Sequence, residues 1–145
     1  MDRIDEQLVS LLTADGRATF SELGDEVGLS APAVKRRVDR LRASGTLRGF
    51  TAVVDHAAMG WTTEAYVLVF CKGIISPARL KAAWQDIPEV LAAATVSGSA
   101  DAMLHLRAAD NHHLESAIER VRDKPNVDHT ESVIVLSRLF DRGGA

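Results

Sequence analysis

The chain has 145 residues, of which 46% are hydrophobic and 26% are charged, and its formal net charge is -3. This composition predicts a globular protein of one ordinary domain or two small ones, with no apolar run near the roughly 20 residues of a membrane span. The charged start MDRIDEQL does not resemble a secretory signal, and the single cysteine, Cys71, excludes an intrachain disulfide and a multi-cysteine zinc site, so we expect a cytoplasmic protein with no membrane partner.

The first thirty residues predict two helices. Ile4, Leu8, Leu11 and Leu12 follow helical spacing, which predicts a helix over roughly 2 to 13 that stops at Asp15-Gly16. Thr19 stands three residues before Glu22, the spacing of a capping box, and the second helix should end near Gly28. The acidic residues of the first helix are interpreted as a solvated face.

A third helix is predicted from Ser30, as its N-cap, to Gly45. Its buried stripe should be Val34, Val38 and Leu41. Positions 30 to 50 hold six basic side chains and one acidic one, whereas positions 1 to 29 hold two basic and seven acidic ones. A basic exposed helix face is often only solvated, but here it follows two short helices and a glycine turn. The combination favours a helix-turn-helix whose third helix enters the major groove of double-stranded DNA.

The remaining residues predict a second domain. FTAVV, after Gly49, is interpreted as a linker strand, and the segments 63–72, 76–87, 90–98, 101–108, 113–124 and 130–140 follow in the order βαββαβ. This order is that of a ferredoxin-like sandwich, with helices on one face of a four-stranded antiparallel sheet. The other face of the sheet must also be buried, so we expect a homodimer or a higher even oligomer, up to an octamer.

The segments IDEQLVSLLTADGRATFSEL and VGLSAPAVKRRVDRLRASGTLRGFTAVVD resemble the Lrp/AsnC family of transcription regulators over about 55 residues. The resemblance implies an α+β protein, with an N-terminal winged-type helix-turn-helix of three helices joined to the ferredoxin-like domain. The domains implied are a DNA-binding domain over 1–48, a linker strand and hinge over 49–61, and an effector-binding and oligomerisation domain over 62–145.

The third helix and the start of the second supply the expected DNA contacts. Small residues at the start of the third helix let its backbone approach the groove, Arg36 and Arg40 should face the bases, and Lys35, Arg37 and Arg42 should meet phosphates. Arg37 has an alternative structural role, tied to the acidic first two helices. The predicted DNA-binding residues are Thr19, Ser30, Ala31, Pro32, Ala33, Lys35, Arg36, Arg37 and Arg40.

The resemblance also places an amino-acid effector site at a glycine-centred loop between the second and third strands of the second domain. Backbone amides beside Gly98 would take the effector carboxylate and Asp101 its ammonium group. Many family members have S/T-G-D-x-D here, and this chain has Ser99 at the first acidic position. The alternative is a plain hairpin turn. The candidate effector residues are Ser97, Gly98, Ser99, Ala100, Asp101, Thr130 and Ser132.

The sequence gives no catalytic or metal-binding constellation, and no cofactor is expected beyond the amino-acid effector. His112 and His113 are adjacent and cannot share a metal as an i, i+4 pair could. Two alternatives remain open. Sirohaem decarboxylases, enzymes of tetrapyrrole metabolism, resemble Lrp/AsnC proteins across both domains, although no Arg/His cluster is evident on the predicted sheet of this chain. The other alternative is a co-regulator that only pairs with a paralogue.

Overall fold

The structure, a computed structural model, describes residues 1–140 and divides into two compact units, Met1–Val53 and a second that begins at Val54. The first unit contains α1 (Arg3–Ala14), α2 (Phe20–Val27) and α3 (Ala31–Ala43). The three predicted helices are therefore confirmed, each with ends within two residues of those expected.

Local capping explains where these helices begin. Thr19 caps α2, and its hydroxyl and the Glu22 carboxylate form the predicted capping box. Asp2 and Asp5 form a second capping box at α1 that the sequence reading did not identify. Ser30 occupies the N-cap position of α3, but its hydroxyl makes no capping hydrogen bond, so only its predicted place is confirmed.

The turn between α2 and α3 depends on two glycines. Gly28 adopts the left-handed conformation with φ +69°, as its position after α2 predicted. Gly24 is buried where α2 meets the turn, and a Cβ atom at this residue would lie 2.4 Å from the carbonyl oxygen of Leu29. The turn can therefore close this tightly because residue 24 has no side chain. The packed residues beneath it are Leu8, Leu12, Leu23, Val34 and Val38.

The expected linker strand is not formed. Residues 49–61, all of which the structure describes, contain no strand, and the segment after α3 where a wing would lie is a turn followed by chain without regular secondary structure. A strand needs a neighbour to pair its backbone N–H and C=O groups. The β-branched residues at 51–54 have strand propensity, but no other segment of residues 1–140 pairs with them.

The second unit is the predicted ferredoxin-like domain. Its elements are β1 (Thr63–Cys71), α4 (Pro77–Trp84), β2 (Val90–Thr95), β3 (Ala102–Ala108), α5 (Asn111–Arg122) and β4 (Val127–Ile134). The sheet order is β2-β3-β1-β4 and every pairing is antiparallel. The βαββαβ order is confirmed.

Strand alternation separates the two faces of the sheet. Ala65, Val67 and Val69 of β1 are buried against α4 and α5, as are Leu104 and Leu106 of β3. The predicted helix stripes complete this core, which contains Leu80, Trp84, Ile87, Leu114, Ile118 and Val121. The intervening residues of each strand point to the opposite face, which neither helix covers. We call this surface the open face, and its β1 residues are Glu64, Tyr66, Leu68 and Phe70.

The last strand lies earlier in the chain than predicted. The apolar run at 130–140 was interpreted as the strand, whereas β4 begins at Val127 and ends at Ile134. Its partner sets this limit, because β1 begins at Thr63 and the last bond to it joins the N–H of Val135 to the carbonyl oxygen of Glu64. Residues 136–140 extend past the end of β1, and Leu136, Leu139 and Phe140 are exposed.

Candidate nucleic-acid interface and ligand loop

The outer surface of α3 is basic and accessible. Val34, Val38 and Leu41 are buried as predicted, so the opposite side of the helix is left to solvent. Arg36 is exposed on this side. Among the residues that the structure describes, Arg36, Arg42 and Arg48 form no ion pair. Among the six basic residues of positions 30–50, these three arginines can therefore bind an external anion without giving up an internal ion pair.

Lys35 is already paired. Its Nζ lies 2.6 Å from a carboxylate oxygen of Asp39, one turn further along α3, and both side chains are more than half exposed. An exposed pair of this kind contributes about 0.3 to 0.5 kcal/mol. Lys35 can therefore exchange Asp39 for a phosphate at little cost.

Arg37 faces into the unit and not toward solvent. Its Nη1 donates to Asp2 at 2.7 Å and to Asp5 at 2.8 Å, and its side chain is 24% exposed. The structure thus favours the structural alternative for Arg37. Arg40 also reaches Asp5, through Nη2 at 3.1 Å, but its side chain remains 63% exposed.

Asp5 corrects the reading of the first helix as a solvated acidic face. Its side chain is only 4% exposed and accepts from both arginines. Hydrogen bonding from Arg37 lowers the pKa of the Asp5 carboxyl, which outweighs the opposing effect of burial. Sequence reasoning missed this contact because its partners lie 32 and 35 positions away.

The start of α2 is partly engaged. The backbone N–H of Thr19, expected to face a DNA strand, donates to the Glu22 carboxylate at 2.7 Å, and the Thr19 hydroxyl bonds to the same oxygen. Because both groups serve the capping box, Thr19 can donate a hydrogen bond to DNA only by giving up one of these bonds.

The loop between β2 and β3 combines exposed backbone with a structural aspartate. Ser97, Gly98 and Ser99 are exposed, and Gly98 has φ +116°. Ala100 is buried. Asp101 accepts from the N–H of Cys71 at 2.7 Å through Oδ2, and its own N–H donates to the carbonyl oxygen of Val69. Asp101 therefore ties the loop to β1, as the hairpin alternative requires, while Oδ1 makes no hydrogen bond within residues 1–140.

Thr130 and Ser132 lie on β4, opposite Val69 and Val67 of β1. Since β1 separates β4 from β3, Thr130 is two strand spacings, about 10 Å, from the Ala102 end of the loop. The Thr130 hydroxyl accepts from Nε of Arg122 at 2.7 Å. The structure places Thr130 at the same end of the sheet as the loop, and Ser132 two residues further along.

The open face carries an Arg/His cluster that was not evident from the sequence. His105 and Arg138 contact the Glu64 carboxylate, and Nη2 of Arg107 lies 3.9 Å from it. The Tyr66 ring stacks on His105 with centroids 4.8 Å apart. Burial would raise the pKa of Glu64, but the bonds from His105 and Arg138 outweigh it and the pKa is lowered. Cross-strand pairing brings these residues together, which is why their sequence spacing concealed them.

Within residues 1–140, no three His, Cys, Asp or Glu side chains are arranged to hold a metal ion. In the same part of the chain, no helix is long and apolar enough to cross a membrane.

Two family models cover most of the chain. The AsnC-type helix-turn-helix domain matches residues 1–42, and the Lrp/AsnC ligand binding domain matches residues 64–145. The chain belongs to the Lrp/AsnC family. The HTH-type transcriptional regulator Rv2324 of Mycobacterium tuberculosis is 56% identical over 142 residues, which are 98% of this chain and 96% of the relative. The HTH-type transcriptional regulator LrpA of the same organism is 36% identical, over 97% of this chain and 93% of the relative.

Solved Lrp/AsnC structures agree in both sequence and fold. The crystal structure of the Mycobacterium tuberculosis leucine response regulatory protein LrpA has a TM-score of 0.87 and 34% identity, and the match covers 98% of this chain and 97% of that one. The feast or famine regulatory protein Rv3291c of Mycobacterium tuberculosis, in complex with L-methionine, has a TM-score of 0.90 and 36% identity, with coverage of 97% and 95%.

The Lrp/AsnC membership decides the class of the protein. It is a transcription regulator with a DNA-binding domain and a ligand-binding domain, and not an enzyme. The tetrapyrrole alternative is therefore set aside. The sequence showed no Arg/His cluster, which had counted against this alternative, whereas the structure does have such a cluster on the open face. In this chain the Glu64 carboxylate lies at the centre of that cluster.

Proposed function

We propose that this Lrp/AsnC regulator reads a specific double-stranded DNA sequence with the outer surface of α3. The exposed guanidinium of Arg36 carries this proposal, because it lies on the side opposite the buried valines and forms no ion pair within residues 1–140. Arginine at such a place binds a guanine edge through two hydrogen bonds, and arginines near it bind phosphates. Such a protein acts where the chromosome is, so we propose a cytoplasmic location.

The proposed contacts divide by chemistry. Arg36 and Arg40 approach base edges, and Ser30, Ala31, Pro32 and Ala33 let the start of α3 enter the groove. Lys35 and Arg42 contact phosphates, with Lys35 released from Asp39 as it does so. Thr19 stays in its capping box and positions α2 beside the strand. Arg37 contributes through its ion pairs with Asp2 and Asp5.

We further propose that the open face packs against a second copy of the chain. Met103 and Val133 lie on this face and are 38% and 61% exposed, beside Tyr66, Leu68 and Phe70. Apolar side chains grouped in this way are stabilised by burial at about 25 cal/mol per Å². A two-fold dimer also presents two copies of α3 to half-sites a whole number of helical turns apart. Even oligomers up to an octamer extend the same assembly.

The loop 97–101 is proposed as the site of a small amino-acid effector. The solved Rv3291c complex contains L-methionine, which supports an amino acid as the ligand class. Exposed backbone N–H groups around Gly98 would bind the carboxylate, and Oδ1 of Asp101 would meet the ammonium group. Thr130 and Ser132 lie at the same end of the sheet or close to it and complete the proposed site.

Fluorescence anisotropy of a duplex from upstream of the protein's own gene tests the proposal. We expect saturable binding that is stronger than to a scrambled duplex. The logarithm of the association constant should fall linearly with the logarithm of salt concentration. Where this duplex fails, selection from a random library supplies the operator. A protein that enriches no sequence from the library at low salt contradicts the proposed function.

The effector is tested by repeating the titration with each amino acid. An effector that changes the affinity for DNA does so by a coupling free energy of about 1 to 3 kcal/mol. Asp101→Asn keeps the bond from the Cys71 N–H while removing the charge, and it should abolish the response to the amino acid without loss of DNA binding. An unchanged response in this variant contradicts the role of Asp101.

A further inference from the structure

We propose that Asp5 is a positioning residue for DNA recognition, which withholds Arg37 from the phosphates and orients Arg40 toward the groove. The inference rests on the proposed function of α3. It concerns a residue of α1 that lies on the inner side of α3 and that sequence reasoning placed in solvent.

The geometry of Arg37 shows what withholds it. One nitrogen, Nη1, donates to two carboxylates, at 2.7 Å to Asp2 and at 2.8 Å to Asp5. Asp5 is buried and also accepts from the N–H of Asp2 at 3.3 Å, so it is fixed at the start of α1. A phosphate that competed for Arg37 would leave a buried carboxylate without one of its two cations, which is costly.

Arg40 is held at one end of its guanidinium group and, unlike Arg37, is otherwise accessible. Only Nη2 of Arg40 contacts Asp5, at 3.1 and 3.3 Å from its two oxygens, and the side chain is largely exposed. Nε and Nη1 make no hydrogen bond within the described residues. A guanidinium held at one end by a fixed carboxylate loses less side-chain freedom when the other end binds. Asp5 therefore anchors Arg40 while leaving its remaining donors for a base.

The ion pairs with Asp2 and Asp5 reduce the positive charge that α3 offers to DNA. Arg37 and Arg40 count toward the basic block in the sequence, but Asp2 and Asp5 balance them in the structure. Of the six basic residues at positions 30–50, Arg36, Arg42 and Arg48 are left without an ion pair to any residue of 1–140. The affinity for DNA should therefore fall less steeply with salt concentration than the number of basic residues in the sequence suggests, because fewer of them contact phosphates.

The test compares Asp5→Asn with Glu6→Gln on operator and scrambled duplexes over a range of salt. Both substitutions remove one negative charge from α1, but Glu6 is exposed and its carboxylate has no partner within residues 1–140. We expect Asp5→Asn to lower the operator-to-scrambled affinity ratio about tenfold, because Arg40 is no longer oriented. We also expect its salt slope to steepen by about 1, because Arg37 then keeps only the exposed Asp2 as a partner and can exchange it for a phosphate. Glu6→Gln should leave both quantities unchanged.

Asp5→Asn results equal to those of Glu6→Gln would overturn the inference. Where circular dichroism shows that Asp5→Asn does not fold, Arg37→Gln decides. A salt slope equal to that of the wild type supports the inference, and a slope shallower by about 1 overturns it, because Arg37 then binds a phosphate in the wild type. Wild-type protein that does not distinguish the operator from the scrambled duplex would instead contradict the proposed function itself.

Discussion

Glu89 and His113 are joined by a 2.7 Å hydrogen bond between Oε1 and Nε2, which links the turn before β2 to the first turn of α5. Arg120, two turns further along α5, donates to the same oxygen at 2.7 Å. The backbone carbonyl of Glu89 accepts from the N–H of Arg107 on β3. One buried residue thus holds together a turn, a helix and a strand of the ligand-binding unit.

This arrangement predicts a loss of stability in acid. Burial would raise the pKa of Glu89, but the bonds from Arg120 and His113 lower it from 4.5 to about 2. A group with a lowered folded-state pKa contributes its stability above the unfolded value, and the contribution disappears as the pH falls from 4.5 toward 2. At 1.36 kcal/mol per pKa unit, the contribution at pH 7 is at most about 3 kcal/mol.

Glu89→Gln tests this prediction by urea unfolding followed through tryptophan fluorescence. Both tryptophans, Trp61 and Trp84, belong to the second unit and report on it. We expect the variant to be about 2 to 3 kcal/mol less stable at pH 7 and the difference to shrink as the pH falls below 4.5. Glu119→Gln, on the exposed side of α5, should match the wild type. A difference that stays constant from pH 7 to pH 3 would contradict the assignment to the Glu89 carboxylate.

The close approach at Gly24 predicts a defect in the helix-turn-helix. A methyl group at this residue would lie 2.4 Å from the carbonyl oxygen of Leu29, so Gly24→Ala must displace the turn between α2 and α3. We expect a destabilisation of about 1 to 3 kcal/mol, since alanine's better helix propensity does not offset a backbone clash. Thermal unfolding followed by circular dichroism at 222 nm measures it.

Gly49→Ala is the matched control for this prediction. Apart from Gly49 and its two chain neighbours, no atom of residues 1–140 lies within 4 Å of a Cβ atom built at Gly49, and its φ is not in the left-handed region. The expected change in the melting temperature is therefore close to zero. Equal melting temperatures for Gly24→Ala and Gly49→Ala would show that the turn relaxes without cost.

The features that the sequence predicted well are those set by nearby residues. The capping box of Thr19 and Glu22, the left-handed Gly28 and the buried stripe of Val34 and Val38 all depend on spacings of three or four residues. Helix periodicity and turn chemistry report such spacings directly. The prediction of three helices followed by βαββαβ needed nothing more.

The features that the sequence missed depend on contacts between distant segments. Asp5 is buried because Arg37 and Arg40 meet it from α3, and no pattern around position 5 indicates this. The Glu64 cluster forms because β1 lies between β3 and β4. The end of β4 is likewise set by a distant segment, because it lies where its pairing with β1 ends. From the local sequence alone, an aspartate on a helix is expected to be solvated and an apolar run is expected to form a strand.

A charge on the open face should prevent assembly. Val133 lies on this face opposite Tyr66 and is 61% exposed, so Val133→Arg would bury a cation if two open faces packed together. We expect the variant to sediment as a monomer in analytical ultracentrifugation and to lose tight operator binding, while its fold is preserved. Ile74→Arg alters a still more exposed apolar residue outside the sheet and should assemble as the wild type does. A Val133→Arg protein that remains dimeric places the interface elsewhere.

Arg36 and Arg42 should respond differently to substitution by alanine. Arg36 is exposed on the side of α3 opposite its buried stripe and has no ion pair in the part of the chain that the structure describes. A bidentate contact from such an arginine to a base is worth about 1 to 3 kcal/mol. Arg36→Ala should therefore weaken operator binding by that amount and scrambled binding much less, so that specificity falls. Arg42, in the last turn of α3, should contact phosphate, and Arg42→Ala should weaken both duplexes alike and make the salt slope shallower by about 1. Anisotropy titrations on the two duplexes at several salt concentrations separate the cases, and an equal loss on every duplex for Arg36→Ala would show that this arginine binds phosphate only.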